Sequence, residues 1–199
     1  MSGTTVAPPA GELLGVGFFE RDVQTVAEDL IGCSLRFGGV GGVIVETESY
    51  ERDDPACHAY VGRTPRSEVL FGPPGRAYVY LSYGIHSLLN FVCEPEGTAA
   101  AVLIRALAPE WGVGEMRSRR RLADLRALCS GPGKLSEALG IGLEHNRASL
   151  SEGPFELRGR AGGWQGVEVV TGPRIGISVA TELPWRFCAA GSPYLSRPV

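Results

Sequence analysis

The sequence predicts a single α+β domain, in which a curved and mostly antiparallel β-sheet forms the core and helices surround it. Three observations predict this class. Short strand patterns follow one another with turns between them, only three stretches have helical character, and neither an internal repeat nor a linker divides the 199 residues. We expect residues 1–15, which are rich in Gly, Pro, Thr and Ala, to form a flexible tail, and residues 16–199 to form the domain.

The helical stretches differ in how clearly they are marked. Asp22 can cap a helix whose apolar residues recur at helical spacing through residues 23–31, and Gly32 ends it. Residues 111–128 form a second stretch, which is strongly basic on one side. A Gly-Pro loop at 130–135 opens a short third helix that we expect to continue through Leu139.

The strand patterns are short and are bounded by Gly, Pro and polar residues. They cover residues 34–37, 42–49, 77–83, 85–93, 99–107, 167–170, 174–179 and 186–188. A Gly-rich turn at 38–42 joins the first two strands. Residues 51–75 are polar and rich in Pro and Gly, and a loop of this length in a compact domain usually has a function.

Composition restricts the class of protein. Hydrophobic residues make up 44% of the chain and charged residues 21%, which is enough apolar surface to exclude global disorder. No run of about 18 apolar residues occurs, and the N-terminus has neither the basic start nor the apolar core of a signal peptide. We therefore expect a soluble, cytoplasmic protein without a membrane partner.

The five cysteines, at positions 33, 57, 93, 129 and 188, are widely spaced and form no C-x-x-C pair. This spacing predicts no metal centre and favours scattered buried thiols in a reducing compartment. Charge is unevenly distributed within the net value of −3, because residues 55–135 hold ten basic and six acidic residues. That basic segment could bind nucleic acid, but on charge alone a solvated helix face is the favoured interpretation.

Acidic side chains alternate on the strand that ends near residue 50. Because successive side chains of a strand point to opposite faces, Glu46, Glu48 and Tyr50 share one face. A carboxylate in such a place must be solvated or paired, and it can then act as a general base. Alternatively, one of the glutamates forms a structural ion pair with an arginine such as Arg105.

Aromatic and histidine side chains are concentrated in two nearby segments. Tyr78 and Tyr80 share a strand face, and Tyr83 stands at the strand end beside Gly84. These rings could stack on nucleobases or could simply fill a core. His58 follows Cys57 in the long loop, lacks the spacing of a metal ligand, and is better suited to hydrogen bonding.

The segment SGPGKL at 130–135 opens a helix with free backbone amides beside the only lysine of the chain, Lys134. Such a helix start can bind phosphate, although it lacks the spacing of a P-loop and an ordinary helix-start turn is the alternative. A single lysine also restricts Schiff-base chemistry, because arginine does not supply a neutral amine.

Taken together, these segments resemble the alkyladenine (3-methyladenine) DNA glycosylase family from about Phe18 to Tyr194. The motifs that carry the resemblance are VETESY (45–50), DPACHAY (54–60), GRTPR (62–66), YVYLSYG (78–84), Asn90, VLIRAL (102–107), LCSGPGKL (128–135), RIGI (174–177), RF (186–187) and GSPY (191–194). Each motif is weak alone, but all of them in this order make a highly specific match.

The resemblance implies a monofunctional glycosylase of base excision repair, which needs no cofactor and acts as a monomer on double-stranded DNA that contains a damaged base. It would flip an alkylated purine out of the duplex, hydrolyse its N-glycosidic bond and leave an abasic site. Glu48 would activate water, which Arg105 and the carbonyl of Ile175 would help to hold. The implied substrates are 3-methyladenine first, then 7-methylguanine, hypoxanthine and ethenoadenine.

The same resemblance implies the groups that bind DNA. Tyr50 and His58 would sandwich the flipped base, Tyr80 would contact its edge, and Asn90 would screen bases that carry a minor-groove amino group. Tyr83 would fill the gap in the duplex. The remaining pocket and backbone residues would be Ile85, His86 and Leu103 in the pocket wall, and Ser130, Gly131, Gly133 and Lys134 at the phosphates.

Two other functions remain possible at this stage. A non-catalytic module that binds damaged DNA could use the same fold with an idle site. A hydrolase of a free nucleoside or sugar could use Glu46 and Glu48 as a pair. The second alternative is disfavoured because two residues on one strand face point in too similar a direction to flank a glycosidic bond.

Overall fold

A curved antiparallel sheet dominates the fold. The computed structural model describes residues 11–199, so the first ten residues of the expected tail lie outside the described residues. Within that range the chain forms eight strands and four α-helices, all in one mixed unit. The predicted α+β class with a curved antiparallel sheet is confirmed.

The bounds of the elements follow the sequence patterns closely in the first two thirds of the chain. The strands are β1 (Ser34–Phe37), β2 (Val40–Tyr50), β3 (Ala77–Ser82), β4 (His86–Cys93), β5 (Ala100–Trp111), β6 (Phe155–Arg158), β7 (Val169–Gly172) and β8 (Arg186–Ala189). The helices are α1 (Val16–Phe19), α2 (Val23–Asp29), α3 (Val113–Arg120) and α4 (Pro132–Leu139). Short 3₁₀ helices cover Glu68–Phe71, Leu125–Ala127, Leu143–His145 and Gly162–Trp164.

Strand β2 is the central strand for the site. Its partner along one edge is β5, while β1 and β8 pair with successive parts of the other edge. The sheet runs in the order β3-β4-β5-β2-β1-β6, and β7 joins through β8. Residues from the beginning, middle and end of the chain therefore meet around β2.

The pairing of β2 with β5 is irregular beside the two glutamates. Its register shifts on both sides of Glu46, so that Val45 on β2 and Arg105 on β5 have no directly opposite partner. Such bulges increase the local twist and redirect side chains, and they are common next to active sites. Here the irregularity brings the Arg105 side chain to both Glu46 and Glu48.

Two apolar clusters support the sheet. The larger one packs α2 and α4 against β2 and β5, and includes fully buried Leu30, Ile44, Leu107 and Leu135. A smaller cluster fills the space beneath the long loop, and Tyr50 and Tyr80 pack against it. Its buried members include Cys57, Ala59, Leu70, Phe71, Tyr78 and Ala101. All five cysteines are buried and free, as predicted.

Three element predictions were wrong. Residues 174–179 form a loop rather than a strand, because Gly176 has a left-handed φ of 79° and Arg174 turns inward to a buried partner. The basic helix ends at Arg120, since Arg121 adopts a left-handed φ of 49°. Strand β6 was absent from the predicted strands, although it pairs with β1.

Two boundaries also differ from the sequence prediction. The turn before β2 is shorter than expected, and Gly41 and Gly42 belong to the strand. A Cβ on Gly42 would lie 2.1 Å from the carbonyl oxygen of Ala108, so only glycine allows the strands to approach there. Residues 11–15 of the expected tail lie beside β6, where the amide of Leu14 donates to the carbonyl of Leu157 at 2.9 Å.

Candidate active site

Glu48 lies at the centre of the candidate active site and has no solvent exposure. Its Oε2 accepts a hydrogen bond from the Tyr50 hydroxyl at 2.8 Å, and its Oε1 accepts one from the Ile175 amide at 2.7 Å. The Arg105 guanidinium lies 3.2 Å from Oε1. Burial raises the pKa of Glu48, while Arg105, the Ile175 amide and the Tyr50 hydroxyl partly offset that rise.

Glu46 has a different environment, although it shares Arg105. Its Oε1 accepts hydrogen bonds from Nε of Arg105 at 2.9 Å and Nε of Arg186 at 2.8 Å, and its Oε2 accepts one from the Ser196 amide at 2.6 Å. Burial alone would raise its pKa, but Ser196 and the two arginines hold the pKa below the ordinary value. The structural ion pair that the sequence left open is therefore present at Glu46.

An aromatic cavity of about 1040 Å³ lies in front of Glu48. His58 contacts two aromatic side chains of the cavity. The Nδ1 of His58 is 2.9 Å from the Tyr78 hydroxyl, and the imidazole meets the Tyr80 ring edge-on, with 4.6 Å between the ring centroids. Tyr78 and Tyr80 lie 5.3 Å apart between ring centroids. Other residues that line the cavity are Tyr50, His86, Asn90, Leu103, Arg105 and Ile175.

The imidazole of His58 is electrically neutral near neutral pH. Burial, together with the nearby Arg66, lowers the pKa of His58 to about 4. Arg66 also lies over the Tyr80 ring at 4.9 Å and lines the cavity. One wall of the cavity thus combines a neutral histidine with an exposed arginine at its edge.

Asn90 has a fixed position in the cavity wall. It is buried on β4 opposite Tyr78, and its side-chain amide donates to the Tyr78 carbonyl at 3.1 Å. Leu103 is its cross-strand neighbour on β5. Backbone pairing therefore holds both side chains at the cavity without a flexible loop.

The hairpin between β3 and β4 projects beside the cavity. Tyr83 stands at its tip with 89% of its surface exposed and a left-handed φ of 51°, and Gly84 follows it. Ile85 is 74% exposed at the same tip, so it lies outside the cavity wall to which the sequence assigned it. The hairpin presents an aromatic ring to solvent on a well-paired support.

The start of α4 forms another part of the rim, next to the hairpin. Gly131 precedes the helix, Pro132 occupies its first turn, and Lys134 is exposed there. Gly133 lies against His86, and a Cβ at position 133 would come within 3.0 Å of that histidine. Gly131, Gly133, Lys134 and His86 line the cavity, whereas Ser130 does not.

Known proteins are similar to this chain over nearly its full length. Residues 17–193 match the family described as “Methylpurine-DNA glycosylase (MPG)”. The chain belongs to the methylpurine-DNA glycosylase family. Its enzyme class is therefore that of a hydrolase of N-glycosyl bonds, of the 3-methyladenine DNA glycosylase type.

Relatives of this methylpurine-DNA glycosylase occur in several bacteria under the name “Putative 3-methyladenine DNA glycosylase”. One from Bradyrhizobium diazoefficiens is 56% identical over 194 residues, which cover 98% of this chain and 96% of the relative. One from Rhodopseudomonas palustris strain BisB5 is 57% identical, covering 96% and 95%. One from Nitrosospira multiformis is 57% identical, covering 90% and 92%.

The glycosylase fold brings most of the expected site residues together. Tyr50, His58, Tyr80, Asn90 and Leu103 surround one cavity, as do His86, Arg105, Ile175, Gly131, Gly133 and Lys134. Glu48 lies directly behind the wall that Tyr50, Arg105 and Ile175 form. Ile175 contacts Glu48 through its amide, whereas the family resemblance implied a role for its carbonyl.

Sequence analysis gave no site role to several residues of this glycosylase that the geometry brings forward. Tyr78 holds His58, and its alternation with Tyr80 was the available signal. Arg66, Asp54 and Arg174 lay in the family motifs but carried no other signal. Within residues 11–199, no helix is long and apolar enough to cross a membrane, and no group of His, Cys, Asp or Glu could hold a metal ion.

Proposed function

We propose that this glycosylase flips 3-methyladenine out of duplex DNA and hydrolyses its N-glycosidic bond with water activated by Glu48, leaving an abasic site. One observation carries the proposal. The Glu48 carboxylate directly contacts Tyr50, Arg105 and Ile175, and these three residues also line the aromatic cavity. A general base thus adjoins a space of the right character for a purine.

Base flipping is required because the glycosidic bond is inaccessible inside a duplex, and it costs a few kcal/mol. Tyr83 fills the resulting gap from the exposed hairpin tip, and stacking of about 1–3 kcal/mol offsets part of the cost. Inside the cavity, Tyr50 and His58 sandwich the base while Tyr80 contacts its edge. The neutral His58 does not repel an alkylated, cationic purine.

Hydrolysis follows from the position of the carboxylate. As the bond from C1′ to the purine nitrogen breaks, its electron pair leaves with the base, and positive charge develops on the deoxyribose. Glu48 stabilises that charge and takes a proton from the water whose oxygen attacks C1′. Arg105 and Ile175 hold the carboxylate and the water in position.

The rim residues select and position the DNA. Asn90 disfavours bases with a minor-groove amino group, and His86 and Leu103 shape the pocket. Ser130, Gly131, Gly133 and Lys134 bind phosphate at the start of α4, where amides and a cation favour an anion. We expect the enzyme to act as a monomer on chromosomal DNA, and therefore in the cytoplasm.

The chain lacks a suitable amine for lyase chemistry. Its only lysine is exposed at the start of α4, where we assign it to phosphate. A monofunctional enzyme leaves the abasic site intact, so borohydride should trap no covalent adduct with DNA. A trapped adduct would contradict this part of the proposal.

The test is release of free base from duplexes that each carry one 3-methyladenine, 7-methylguanine, hypoxanthine or ethenoadenine. We expect release of 3-methyladenine and none of normal guanine from the matched undamaged duplex. Binding of the lesion duplex without release of any base would favour the non-catalytic module. Equal activity on a free modified nucleoside would favour the nucleoside hydrolase.

A further inference from the structure

A buried ion pair lies behind the cavity and forms no part of the chemistry described above. Arg174 and Asp54 bond through both guanidinium nitrogens, with Nη2 donating to Oδ1 at 3.0 Å, and neither side chain is exposed to solvent. Neither residue lines the cavity. Burial of two charges is costly in itself, so stabilisation of the fold is a weak reason for this pair.

The pair connects three chain segments that each deliver a site group. Nη1 of Arg174 donates to the Ser49 carbonyl at 3.0 Å, at the end of β2 and immediately before Tyr50. Asp54 shapes the loop that carries His58, because its Oδ1 accepts the Ala56 amide at 2.9 Å. The third segment is the loop of Arg174 itself, in which the next amide donates to Glu48.

The guanidinium also packs over the Tyr50 ring. It lies 4.6 Å from the centroid of Tyr50 and 5.1 Å from that of Trp185. Tyr50 lines the cavity and Arg174 does not, so the cation packs on the side of the ring away from the cavity. The opposite side of Tyr50 is thereby left for a stacked base.

We propose that Arg174 and Asp54 are positioning residues, which set Tyr50, His58 and the Ile175 amide in the arrangement that the glycosylase reaction needs. This inference rests on the proposed function. The bidentate, stacked geometry requires the planar fork of arginine, because a lysine ammonium can neither pair in this way nor stack on the rings. Small misplacements of such groups reduce rates strongly, by up to about 100-fold for an ångström.

The proposal predicts a change in pH dependence as well as in rate. The Ile175 amide lowers the pKa of Glu48, so its displacement raises that pKa. Glu48 works as a base only when ionised, and the acid limb of the rate profile therefore moves to higher pH. The titratable and charged groups that act on Glu48 from all surrounding elements are Glu46, Tyr50, Tyr80, Arg105, Arg174 and Cys188.

The experiment compares Arg174→Lys and Asp54→Asn with wild type in single-turnover release of 3-methyladenine between pH 5 and 9. Arg160→Lys is the matched control, because Arg160 is a partly buried arginine that donates to the carbonyls of Ile31 and Glu28, and none of these residues lines the cavity. Thermal unfolding and affinity for a duplex with an abasic-site analogue are measured on all four proteins, at a temperature at which each is folded.

We expect both pair variants to release base about 10- to 100-fold more slowly, with affinity for the abasic duplex close to wild type. The acid limb should move to higher pH in Arg174→Lys, which keeps the positive charge. Arg160→Lys should keep the wild-type rate and profile. A folded pair variant with wild-type rate and acid limb would overturn the proposal. If Arg174→Lys does not fold, Asp54→Asn decides by its rate at unchanged affinity for the abasic duplex, and an inactive wild type would instead refute the proposed function.

Discussion

Glu46 and Glu48 stand two positions apart on β2 and share Arg105, yet their surroundings shift their pKa values in opposite directions. Two arginines and the Ser196 amide hold Glu46 ionised, and burial outweighs the remaining interactions at Glu48. A catalytic base needs a pKa nearer to the working pH than an exposed carboxylate has. The opposite pKa shifts therefore favour Glu48 over Glu46 as the proposed base.

His58 is the residue whose titration most directly reports the cavity environment. Its pKa of about 4 lies below the ordinary value of 6.5 because of burial and the proximity of Arg66. We predict a midpoint near 4 when the His58 ring is followed by NMR against pH. The folded state then binds this proton less readily than the unfolded state, so its contribution to stability is lost as pH falls from 6.5 toward 4.

Two arginines of the same loop provide a matched comparison for this prediction. Arg66→Ala should move the His58 midpoint upward, because Arg66 contributes to lowering it. Arg63→Ala should leave the midpoint unchanged, since Arg63 packs over Phe71 instead. A wild-type midpoint near 6.5 would contradict the neutral-histidine account of the cavity.

At the scale of elements, the β3–β4 hairpin has well-paired strands but a tip residue with an unfavourable backbone conformation. Six residue pairs hold β3 to β4, up to Ser82 opposite His86. Tyr83 follows in a left-handed conformation, which costs a non-glycine residue about 1–2 kcal/mol. Strain of this kind at an exposed aromatic residue is typical of functional sites.

Removal of the Tyr83 ring should therefore lower activity without lowering stability. We predict that Tyr83→Asn lowers single-turnover base release by about 10- to 100-fold, through loss of about 1–3 kcal/mol of stacking. Its thermal stability should equal or slightly exceed that of wild type, because asparagine tolerates the left-handed conformation. Tyr60→Asn, at another exposed tyrosine, is the control and should retain full activity. Base release by Tyr83→Asn at the wild-type rate would contradict the proposed role of the hairpin tip.

The local sequence pattern was sufficient to predict a helix that has its own cap and strands with a long alternation of side chains. The cap at Asp22 and the alternation on β2 and β3 predicted those elements and the shared face of Glu46, Glu48 and Tyr50. The same alternation wrongly predicted a strand at residues 174–179, which form a loop whose Arg174 side chain points inward. Strand β6 was missed because its four residues become a strand only by pairing with β1.

The site was predictable to the extent that its residues lie on those strands. The positions of Glu48, Tyr50 and Tyr80 on their strand faces followed from alternation. The helix start suggested a phosphate site at Lys134, and only the family resemblance implied a role for Asn90. The pairing of Asp54 with Arg174 joins residues 120 positions apart. No periodicity encodes such a contact, because the packing of separate loops against β2 creates it.

At the scale of the whole molecule, Glu46 ties the middle of the sheet to the C-terminal segment. Its carboxylate binds Arg105 on β5, Arg186 on β8, and both the amide and hydroxyl of Ser196. Removal of one partner from a buried pair leaves an uncompensated charge and costs about 3–5 kcal/mol. Here the Glu46 carboxylate pairs with buried Arg186 and shares buried Arg105 with Glu48.

We accordingly predict that Glu46→Ala lowers the free energy of unfolding by about 3–5 kcal/mol in urea titrations. The matched control is Glu156→Ala, whose surface pair with Arg158 should contribute less than about 1 kcal/mol. Because the folded-state pKa of Glu46 is lowered, its contribution is present above pH 4.5 and is lost as pH falls below it. An equal loss of unfolding free energy in Glu46→Ala and Glu156→Ala would contradict the central structural role of Glu46.

The central claim is that the Glu48 carboxylate activates the water that cleaves the glycosidic bond. The most direct test is single-turnover release of 3-methyladenine by wild type and Glu48→Gln, together with the affinity of both proteins for the lesion duplex. We predict a rate at least about 100-fold lower in the variant and an unchanged affinity, because glutamine keeps the shape but not the base. Release of base by Glu48→Gln at the wild-type rate would contradict the account.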